Sequence, residues 1–426
     1  MEEFQLANGI KILCYPIQNA YSIALSLNIR GGLRYENNSN NGISYLLEKM
    51  HLKRLGAMDQ DEIFYRMESM GSFLRADTLK DTLRYSMRFR PCYFEQSLKI
   101  FAELLNAYSW NKEDITATKK TVINEIAKSD TYINIESIME QVLWKNNPLG
   151  FPIIGIKDAV DSITLDDVIA YKKAVFNDNN IMLVITGAIT ENHIAVLKKC
   201  FENIKLPAQL NMQHVVKPVQ FNRKPDILLQ NKPWEYVDVA MMFDVDSKQI
   251  TIEDLDMLCN IIGGGDGSIL SLALREKMGI TYSVSALFEI YNDAACIYIK
   301  FVAHKKDIYL AINTITESLR SMKSHIEQCH LDTTKPFLTD NLWFDLEDPW
   351  EWNMYLSWRV FSLGQPPFSI EESIERFDKI DAARLSEVVK TIFKPENASA
   401  ALLGSLNGIT QKEIRRIINE GLAEFR

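Results

Sequence analysis

Several features that mark membrane, secreted or nucleic-acid-binding proteins are missing from this sequence. No apolar run approaches the roughly 18–20 residues that a membrane-spanning helix needs. The acidic N-terminus has no basic segment followed by an apolar one, so we expect no secretory signal. No run of lysine and arginine is present, and the formal net charge is −9, which argues against a general nucleic-acid binder. Together these absences favour a cytoplasmic protein.

The residue types that build disulfides and metal sites are also sparse. Six cysteines are scattered without CxxC pairs, which argues against a disulfide framework and against a structural zinc site. Among the six histidines, His325 and His330, with Cys329 beside them, invite a metal interpretation. Because residues five apart do not share a helix face well, we predict no metal site there.

What the chain does have is enough apolar material for two cores. Hydrophobic residues make up 47% and charged residues 24%, as in a soluble globular protein. A length of 426 residues suits two domains of roughly 200 residues each. We predict these domains at 1–204 and 226–426. The segment 205–225, which has three prolines and weak periodicity, is the predicted linker.

The order of predicted elements repeats between the two halves. GIKILCYP and YSIALSLNIRGG in the first half, and DILLQ and YVDVAMMFDVDS in the second, have strand patterns and precede helices. The halves also end alike, because AVFNDNNIMLVITGAITENHIAVLKKCF and TIFKPENASAALLGSLNGITQKEIRRII both predict helix end, loop, apolar strand, turn and helix. The repeat distance of about 220 residues is too long for a solenoid. We therefore predict an α+β fold of two homologous domains, each a mostly antiparallel sheet packed with helices.

A short stretch in the first half has the outline of a metallopeptidase motif. GISYLLEKMHLKRLG, residues 42–56, falls on an amphipathic helix predicted over 41–55, with Asn41 as its N-cap. Two histidines four residues apart on one helix face can bind one zinc ion, and a neighbouring glutamate can act as general base. The inverted zinc motif H-x-x-E-H has this arrangement. Here Tyr45 and Lys49 occupy the histidine positions on either side of Glu48.

Four segments resemble the pitrilysin-like M16 zinc peptidases, subfamily M16B, which include bacterial processing peptidases and the mitochondrial processing peptidase. The stretch at 42–56 is similar to the family's G-x-A-H-x-x-E-H-M-x-F-K-G, and Glu125 in TVINEIAKS stands at the spacing of its third zinc ligand. NPLGFPIIG (147–155) and GGGDGSILSLALREKMGITYSV (263–284) resemble two further family motifs. The resemblance implies that the two domains form half of a clam-shell chamber.

The departures from the family pattern change the expected function. Tyr45 is a poor zinc ligand at neutral pH, because a phenol has a pKa near 10. Lys49 would place an ammonium group where the cation should bind, so we predict no catalytic zinc in this chain. Glu48 and Glu125 then become structural carboxylates, with Lys49 a candidate partner of either and Arg54 a further candidate partner of Glu48. A further departure lies on the family's substrate-facing edge strand, which usually carries Asn-Ala.

Other candidate substrate-binding residues follow from the same resemblance. Arg75-Ala76 stands at the position of the family's Asn-Ala pair. An arginine and a tyrosine at the positions of Arg275 and Tyr282 bind the peptide backbone near the scissile bond in the family, and the glycine run Gly263, Gly264 and Gly265 handles substrate in non-catalytic subunits. The alternative interpretations are a helix-surface arginine, a strand-start tyrosine and a helix C-terminal stop. A phosphate-binding loop is disfavoured, because no Lys-Ser/Thr follows the glycines.

The pattern of lost and retained residues predicts one subunit of a two-subunit enzyme. The zinc ligands are gone while the arginine–tyrosine pair is kept, which resembles the non-catalytic subunit of an M16B heterodimer. Its partner would have an intact H-x-x-E-H motif and supply zinc, and the substrates would be short peptides, such as the leader of a ribosomally made peptide. One alternative is a non-enzymatic scaffold or peptide-binding homodimer. Another is a self-sufficient peptidase with displaced ligands.

Overall fold

The computed structural model describes residues 1–106, 108–131, 133–207, 219, 225–324 and 326–423. Most of the predicted linker, 205–225, lies outside the described residues, as does His325. Within the described part of the chain, no helix is both long enough and apolar enough to cross a membrane.

The first half builds a six-stranded sheet from strands of four to eight residues. Its strands are β1 (Glu2–Gln5), β2 (Lys11–Pro16), β3 (Ile23–Arg30), β6 (Arg75–Thr78), β7 (Thr82–Phe89) and β8 (Ile181–Gly187). Strands β4 (Arg54–Leu55) and β5 (Met58–Asp59) form a separate two-stranded sheet. The order across the sheet is β1-β2-β8-β3-β7-β6. The β2–β8 pair is parallel, and the other neighbours are antiparallel. Strands β6 and β7 form a hairpin, and β6 lies at the edge of the sheet.

The second half builds a five-stranded sheet with the same topology. Its strands are β9 (Ile227–Asn231), β10 (Tyr236–Val245), β11 (Val284–Tyr291), β12 (Ala294–His304) and β13 (Ala398–Gly404). The order is β9-β13-β10-β12-β11, which matches β2-β8-β3-β7-β6 strand for strand. Here too one pair, β9–β13, is parallel and the rest are antiparallel. The predicted α+β fold and its duplication are therefore confirmed.

Helices cover the sheets and connect their strands. In the first half they are α1 (Ile43–Lys53), α2 (Gln60–Ser69), α3 (Phe94–Leu105), α4 (Lys112–Thr131), α5 (Ile135–Leu143), α6 (Lys157–Ser162), α7 (Leu165–Val175) and α8 (Glu191–Phe201). In the second half they are α9 (Ile252–Gly263), α10 (Ile308–Ser324), α11 (Gln328–Glu347), α12 (Pro349–Leu356), α13 (Ile370–Asp378), α14 (Ala382–Ile392) and α15 (Gln411–Gly421). Two segments, Ser271–Lys277 and Ser357–Ser362, are π-helical.

The described chain divides into two compact units that are not continuous in sequence. One unit contains 1–132, 147–217 and 343–369, and the other contains 133–146, 218–342 and 370–426. The domain boundaries predicted at 1–204 and 226–426 follow the sequence repeat, whereas each compact unit takes one segment from the other half.

Each compact unit contains one segment from the other half of the sequence, and hydrogen bonds from polar side chains hold that segment against the sheet of the unit. In the first unit, the fully buried Asn353 of α12 donates to the carbonyl oxygens of Ala24 in β3 and Val184 in β8, at 3.2 and 2.9 Å. In the second unit, Lys300 of β12 donates to Glu136 of α5 at 2.6 Å. An amphipathic sequence pattern indicates that a helix has a buried face, but it does not indicate which sheet covers that face.

Candidate functional site

Helix α1 is fixed in the first unit by its apolar face and by contacts at its N-terminus. Leu46, Leu47 and Met50 are fully buried, and burial of each such side chain is worth about 1.5–3 kcal/mol. Gly42 precedes the helix with a φ of 99°, and a Cβ on it would approach Val160 Cγ2 and Gly155 Cα to 2.7 and 2.9 Å. The glycines of two separate sequence motifs, at 42 and 155, therefore pack against each other.

The predicted N-cap of this helix was wrong. Asn41 does not cap α1, because its side chain donates to Glu36 Oε2 and to the Pro152 carbonyl oxygen. Glu36 instead accepts the backbone N–H groups of Gly42 and Ser44, at 2.9 and 3.0 Å. Burial raises the pKa of this carboxyl, and its hydrogen bonds with Ser44, Gly42 and Asn41 oppose that shift.

The four residues at the zinc-motif positions, Tyr45, Glu48, Lys49 and Glu125, lie close enough to interact, and we call them the quartet. Tyr45 Oη donates to Glu125 Oε2 at 2.9 Å, which brings together α1 and α4. Lys49 Nζ lies 3.5 Å from Glu48 Oε1 and 4.6 Å from the centre of the Tyr45 ring. Arg54, the other candidate partner of Glu48, pairs with Asp114 at 2.9 Å.

The electrostatics of the quartet follow from partial burial and from these pairings. Burial raises the pKa of Glu48, although the Thr78 hydroxyl, which donates to Glu48 Oε2 at 2.7 Å, and Lys49 both act against that shift. Burial also acts to lower the pKa of Lys49, but its interactions with Tyr45 and Glu48 outweigh it, so this pKa is raised. Burial raises the pKa of Tyr45 as well. Lys49 is therefore charged and Tyr45 is neutral at pH 7.

A zinc ion does not fit the quartet as it stands. Zinc needs lone pairs from deprotonated ligands, whereas Tyr45 keeps its proton and directs it at Glu125. The Lys49 ammonium also brings a positive charge to the position of a metal ligand. The quartet can stabilise α1 against α4, but its side chains offer no route to metal-assisted hydrolysis.

His51, on the same helix, is a core histidine. It is fully buried, and its Nδ1 lies 2.7 Å from Tyr85 Oη. Its ring also contacts Trp110 and Phe176, with ring centres 5.1 and 5.4 Å away. Burial lowers the pKa of His51 well below its ordinary value, with a smaller effect of the same sign from Lys172.

The edge strand β6 carries Arg75 and Ala76 and runs beside α1. Thr78 of this strand is the residue that donates to Glu48. Arg75 is exposed and pairs with Asp77 at 2.9 Å. Among the strands of the described residues, β6 pairs with β7 alone, so its other side presents backbone N–H and C=O groups that an extended peptide could bind.

In the second unit, the glycine run begins at the last residue of helix α9. Gly263 ends the helix, and a Cβ on it would approach the Ala286 nitrogen of β11 to 2.6 Å, so glycine is needed for this close packing. Gly264 is the C-cap, as the helix-stop interpretation predicts. Gly264 and Gly265 are exposed, and a Cβ on Gly265 would meet no atom within 4 Å.

Arg275 is held by acidic neighbours, and one of them belongs to the glycine-rich segment. Its Nη1 donates to Asp266 Oδ1 at 2.8 Å, and its Nε donates to Glu276 Oε1 at 2.7 Å. These bonds, with Glu276 contributing most, raise the pKa of the guanidinium above its already high value. Tyr282 is 93% exposed. Both side chains are therefore accessible to a ligand outside this chain.

Sequence reasoning missed three residues that shape these sites. Thr78 and Glu36 carry no linear signal, because each contact depends on how β6 or the segment before α1 packs. Asp266 could have been found, since an acidic residue in the same motif as Arg275 is a natural partner for it.

Two family models match the chain one after the other. The model described as "Insulinase (Peptidase family M16)" matches residues 15–157, and the model described as "Peptidase M16 inactive domain" matches residues 162–336. The first covers α1 and Glu125, and the second covers the glycine-rich segment and Arg275.

Curated relatives and solved structures extend this similarity to nearly the whole chain. The chain is 22% identical over 411 residues to the uncharacterized zinc protease YmxG of Bacillus subtilis, covering 96% of this chain and 99% of the relative. It is 23% identical over 420 residues to mitochondrial-processing peptidase subunit beta of Caenorhabditis elegans, covering 94% and 88%. The crystal structure of a protease from Helicobacter pylori has the same fold, with a TM-score of 0.85 at 18% identity, covering 95% and 99%. With both halves matched by models of one family, the chain belongs to peptidase family M16.

Proposed function

We propose that this chain is the non-catalytic, substrate-binding subunit of a heterodimeric M16B zinc peptidase in the cytoplasm. A partner chain with an intact H-x-x-E-H motif supplies the zinc ion, the general base and the attacking water. This chain contributes Arg275 and Tyr282 to the partner's site, and the complex cleaves short peptides. The leader of a ribosomally made peptide is the substrate class that we propose.

The observation that carries this proposal is the pairing within the quartet. Lys49 neutralises Glu48, and Tyr45 donates to Glu125, so the groups that could bind or activate a metal-bound water are already occupied by one another. A chain with this arrangement has no hydrolytic centre at its M16 motif. Any proteolytic role then requires a second chain.

The exposed pair in the second unit supports the substrate-binding part. A guanidinium and a phenol are donors suited to a peptide carbonyl oxygen that gains charge in the transition state. Arg275 is about one third exposed and Tyr282 is almost fully exposed. The open side of β6, with Arg75 and Ala76, offers a second place where an extended peptide can bind by strand addition.

The names of two relatives are consistent with a two-subunit enzyme. One is called mitochondrial-processing peptidase subunit beta, in Caenorhabditis elegans. Another is called subunit alpha, in Neurospora crassa, and is 21% identical over 203 residues, covering 47% of this chain and 35% of that protein.

Reconstitution with an H-x-x-E-H partner tests the proposal. Arg275→Ala or Tyr282→Phe in this chain should lower turnover about 10²–10³-fold, the usual cost of losing one donor to a developing oxyanion. Glu48→Gln in this chain is the control and should change turnover little. The corresponding glutamate change in the partner should abolish turnover. Co-purification confirms that each variant still assembles.

A scaffold or a peptide-binding homodimer gives the opposite result. If Arg275→Ala and Tyr282→Phe assemble with the partner and cleave at the wild-type rate, the substrate-binding role is wrong. If the chain alone cleaves peptides and loses activity on Glu48→Gln, the displaced-ligand peptidase is correct instead.

A further inference from the structure

Three different metal-binding side chains meet at the start of helix α11, in the second unit. They are Glu327, Cys329 and His330, and one carboxylate oxygen, the Cys329 sulfur and one His330 ring nitrogen all lie within 4.8 Å of one another. Cys329 Sγ donates to Glu327 Oε2 at 3.4 Å. The His330 backbone N–H donates to the Glu327 carbonyl oxygen at 3.0 Å, which fixes the turn that brings the side chains together.

This grouping differs from the one that the sequence suggested. The sequence drew attention to His325 and His330, with Cys329, and the spacing of the two histidines argued against a site; in the structure Glu327 joins Cys329 and His330 as the third group. Glu327 lies three residues before His330 in a tight turn, so the helix-face argument does not apply to it. His325 lies outside the described residues and plays no part in the inference.

The distances suit one ion after small side-chain rotations. Zinc binds sulfur at about 2.3 Å and imidazole nitrogen at about 2.0 Å, so in a tetrahedral site the two atoms lie about 3.5 Å apart. Glu327 and Cys329 are exposed, and His330 is half-buried. Exposed side chains can rotate to shorten the present separation of up to 4.8 Å by the roughly 1 Å that a tetrahedral site requires.

The donor set selects a soft or borderline cation. Thiolate and imidazole together favour zinc over magnesium and calcium, which prefer oxygen ligands. His330 also lines a cavity of about 270 Å³ with Gly264, Gly265, Gly267 and Ser268. A cavity of this volume can hold water beside His330.

We propose that Glu327, Cys329 and His330 bind one zinc ion, with water as the fourth ligand. On binding, the Cys329 thiol releases its proton to solvent and its sulfur forms a bond to zinc, while His330 contributes a nitrogen lone pair and Glu327 contributes a carboxylate oxygen. The site shares no residue with the quartet. It also does not depend on the proposed peptidase role.

Release of that proton makes the affinity depend on pH. Zinc must displace the proton, so affinity should increase as pH rises from 6 to 8.

Cobalt titration of the reduced full-length chain tests the site, because cobalt bound to thiolate has a charge-transfer absorption in the near ultraviolet. We expect one equivalent of Co²⁺ to produce this band, zinc to abolish it by competition, and Cys329→Ser to eliminate it. His330→Ala and Glu327→Gln should weaken binding by about tenfold or more. Cys92→Ser, which changes another exposed cysteine, is the matched control and should leave the band unchanged.

The result that would overturn the inference is equally specific. The proposed ligand set is contradicted if the band is absent from the wild-type chain or survives in Cys329→Ser. It is also contradicted if the band is lost in Cys92→Ser, or if His330→Ala binds with unaltered affinity. Circular dichroism of every variant establishes that the fold is intact, and Glu327→Gln removes a ligand without creating an apolar surface.

Discussion

The ammonium nitrogen of Lys49 lies 3.5 Å from the carboxylate of Glu48, one residue before it on helix α1. A chain that binds zinc through this helix would have an external cation beside that carboxylate. Here the cation is part of the polypeptide, and the pairing with Glu48 contributes to the raised pKa of Lys49. The Glu48 carboxylate therefore has a cationic partner without a metal.

Restoring the two histidines should restore metal binding to the quartet. Tyr45→His/Lys49→His places two imidazoles four residues apart, and Glu125, which now accepts from Tyr45 at 2.9 Å, becomes free to act as the third ligand. In a Cys329→Ser background, calorimetry should detect one equivalent of zinc. The same variant with Glu125→Gln is the control and should bind at least about tenfold more weakly. An intact fold that binds no zinc would show that Glu125 cannot reach the metal.

Removing the acidic partner of Arg275 should favour peptide binding. Asp266→Asn keeps the shape of the residue but weakens its bond to Nη1, so the guanidinium becomes more available to a peptide carbonyl. We expect the KM of the reconstituted complex to be several-fold lower than that of wild type. A change of this size corresponds to the free energy of one surface ion pair. Glu396→Gln, at an exposed carboxylate elsewhere in the second unit, should leave KM unchanged. A higher KM for Asp266→Asn would mean that Asp266 positions Arg275 productively.

Protonation of buried His51 should make the protein less stable at acidic pH. The pKa of His51 in the folded state lies well below 6.5, so below pH 6.5 the unfolded chain binds a proton that the folded chain does not. Stability from this group is complete above pH 6.5 and is lost as pH falls through the folded pKa, by up to about 1.4 kcal/mol per pH unit. Denaturant unfolding from pH 7 to pH 5 measures this slope.

Two substitutions at the same contact separate titration from packing. His51→Phe should reduce the pH dependence of the unfolding free energy, because the titrating group is gone. Tyr85→Phe removes the hydroxyl 2.7 Å from His51 Nδ1 but retains the histidine, so the slope should remain. Equal slopes in wild type and His51→Phe would assign the acid sensitivity to other groups.

The hydroxyl of Thr78 should stabilise the first unit through Glu48. Thr78→Val leaves the buried carboxylate without its 2.7 Å donor, which should lower the free energy of unfolding by about 1–3 kcal/mol. In a Glu48→Gln background the same change should cost less, because a neutral amide needs the donor less. A double-mutant cycle with no coupling energy would show that the contact contributes nothing.

Much of the fold could be predicted because it depends on short-range patterns. The alternation in GSFLRADTLKDTLRYSMRFRP produces the β6–β7 hairpin, and the matching ends of the two halves produce β8–α8 and β13–α15. The cap of α1 could not be predicted in the same way. Asn41 is a good N-cap by residue type, but its side chain is used by Glu36 and Pro152, which reach it only after folding.

By itself the sequence determined that the two histidines are absent, that the chain is duplicated and that its motifs have M16 spacing, because these properties are linear. The tertiary structure alone decided which sheet covers α5 and α12, that Lys49 pairs with Glu48, and that Glu125, 80 positions along the chain, accepts from Tyr45. The physical reason is the range of the interactions. Periodicity and capping act over one or two helical turns, whereas these contacts form only when packing brings distant elements within hydrogen-bond distance.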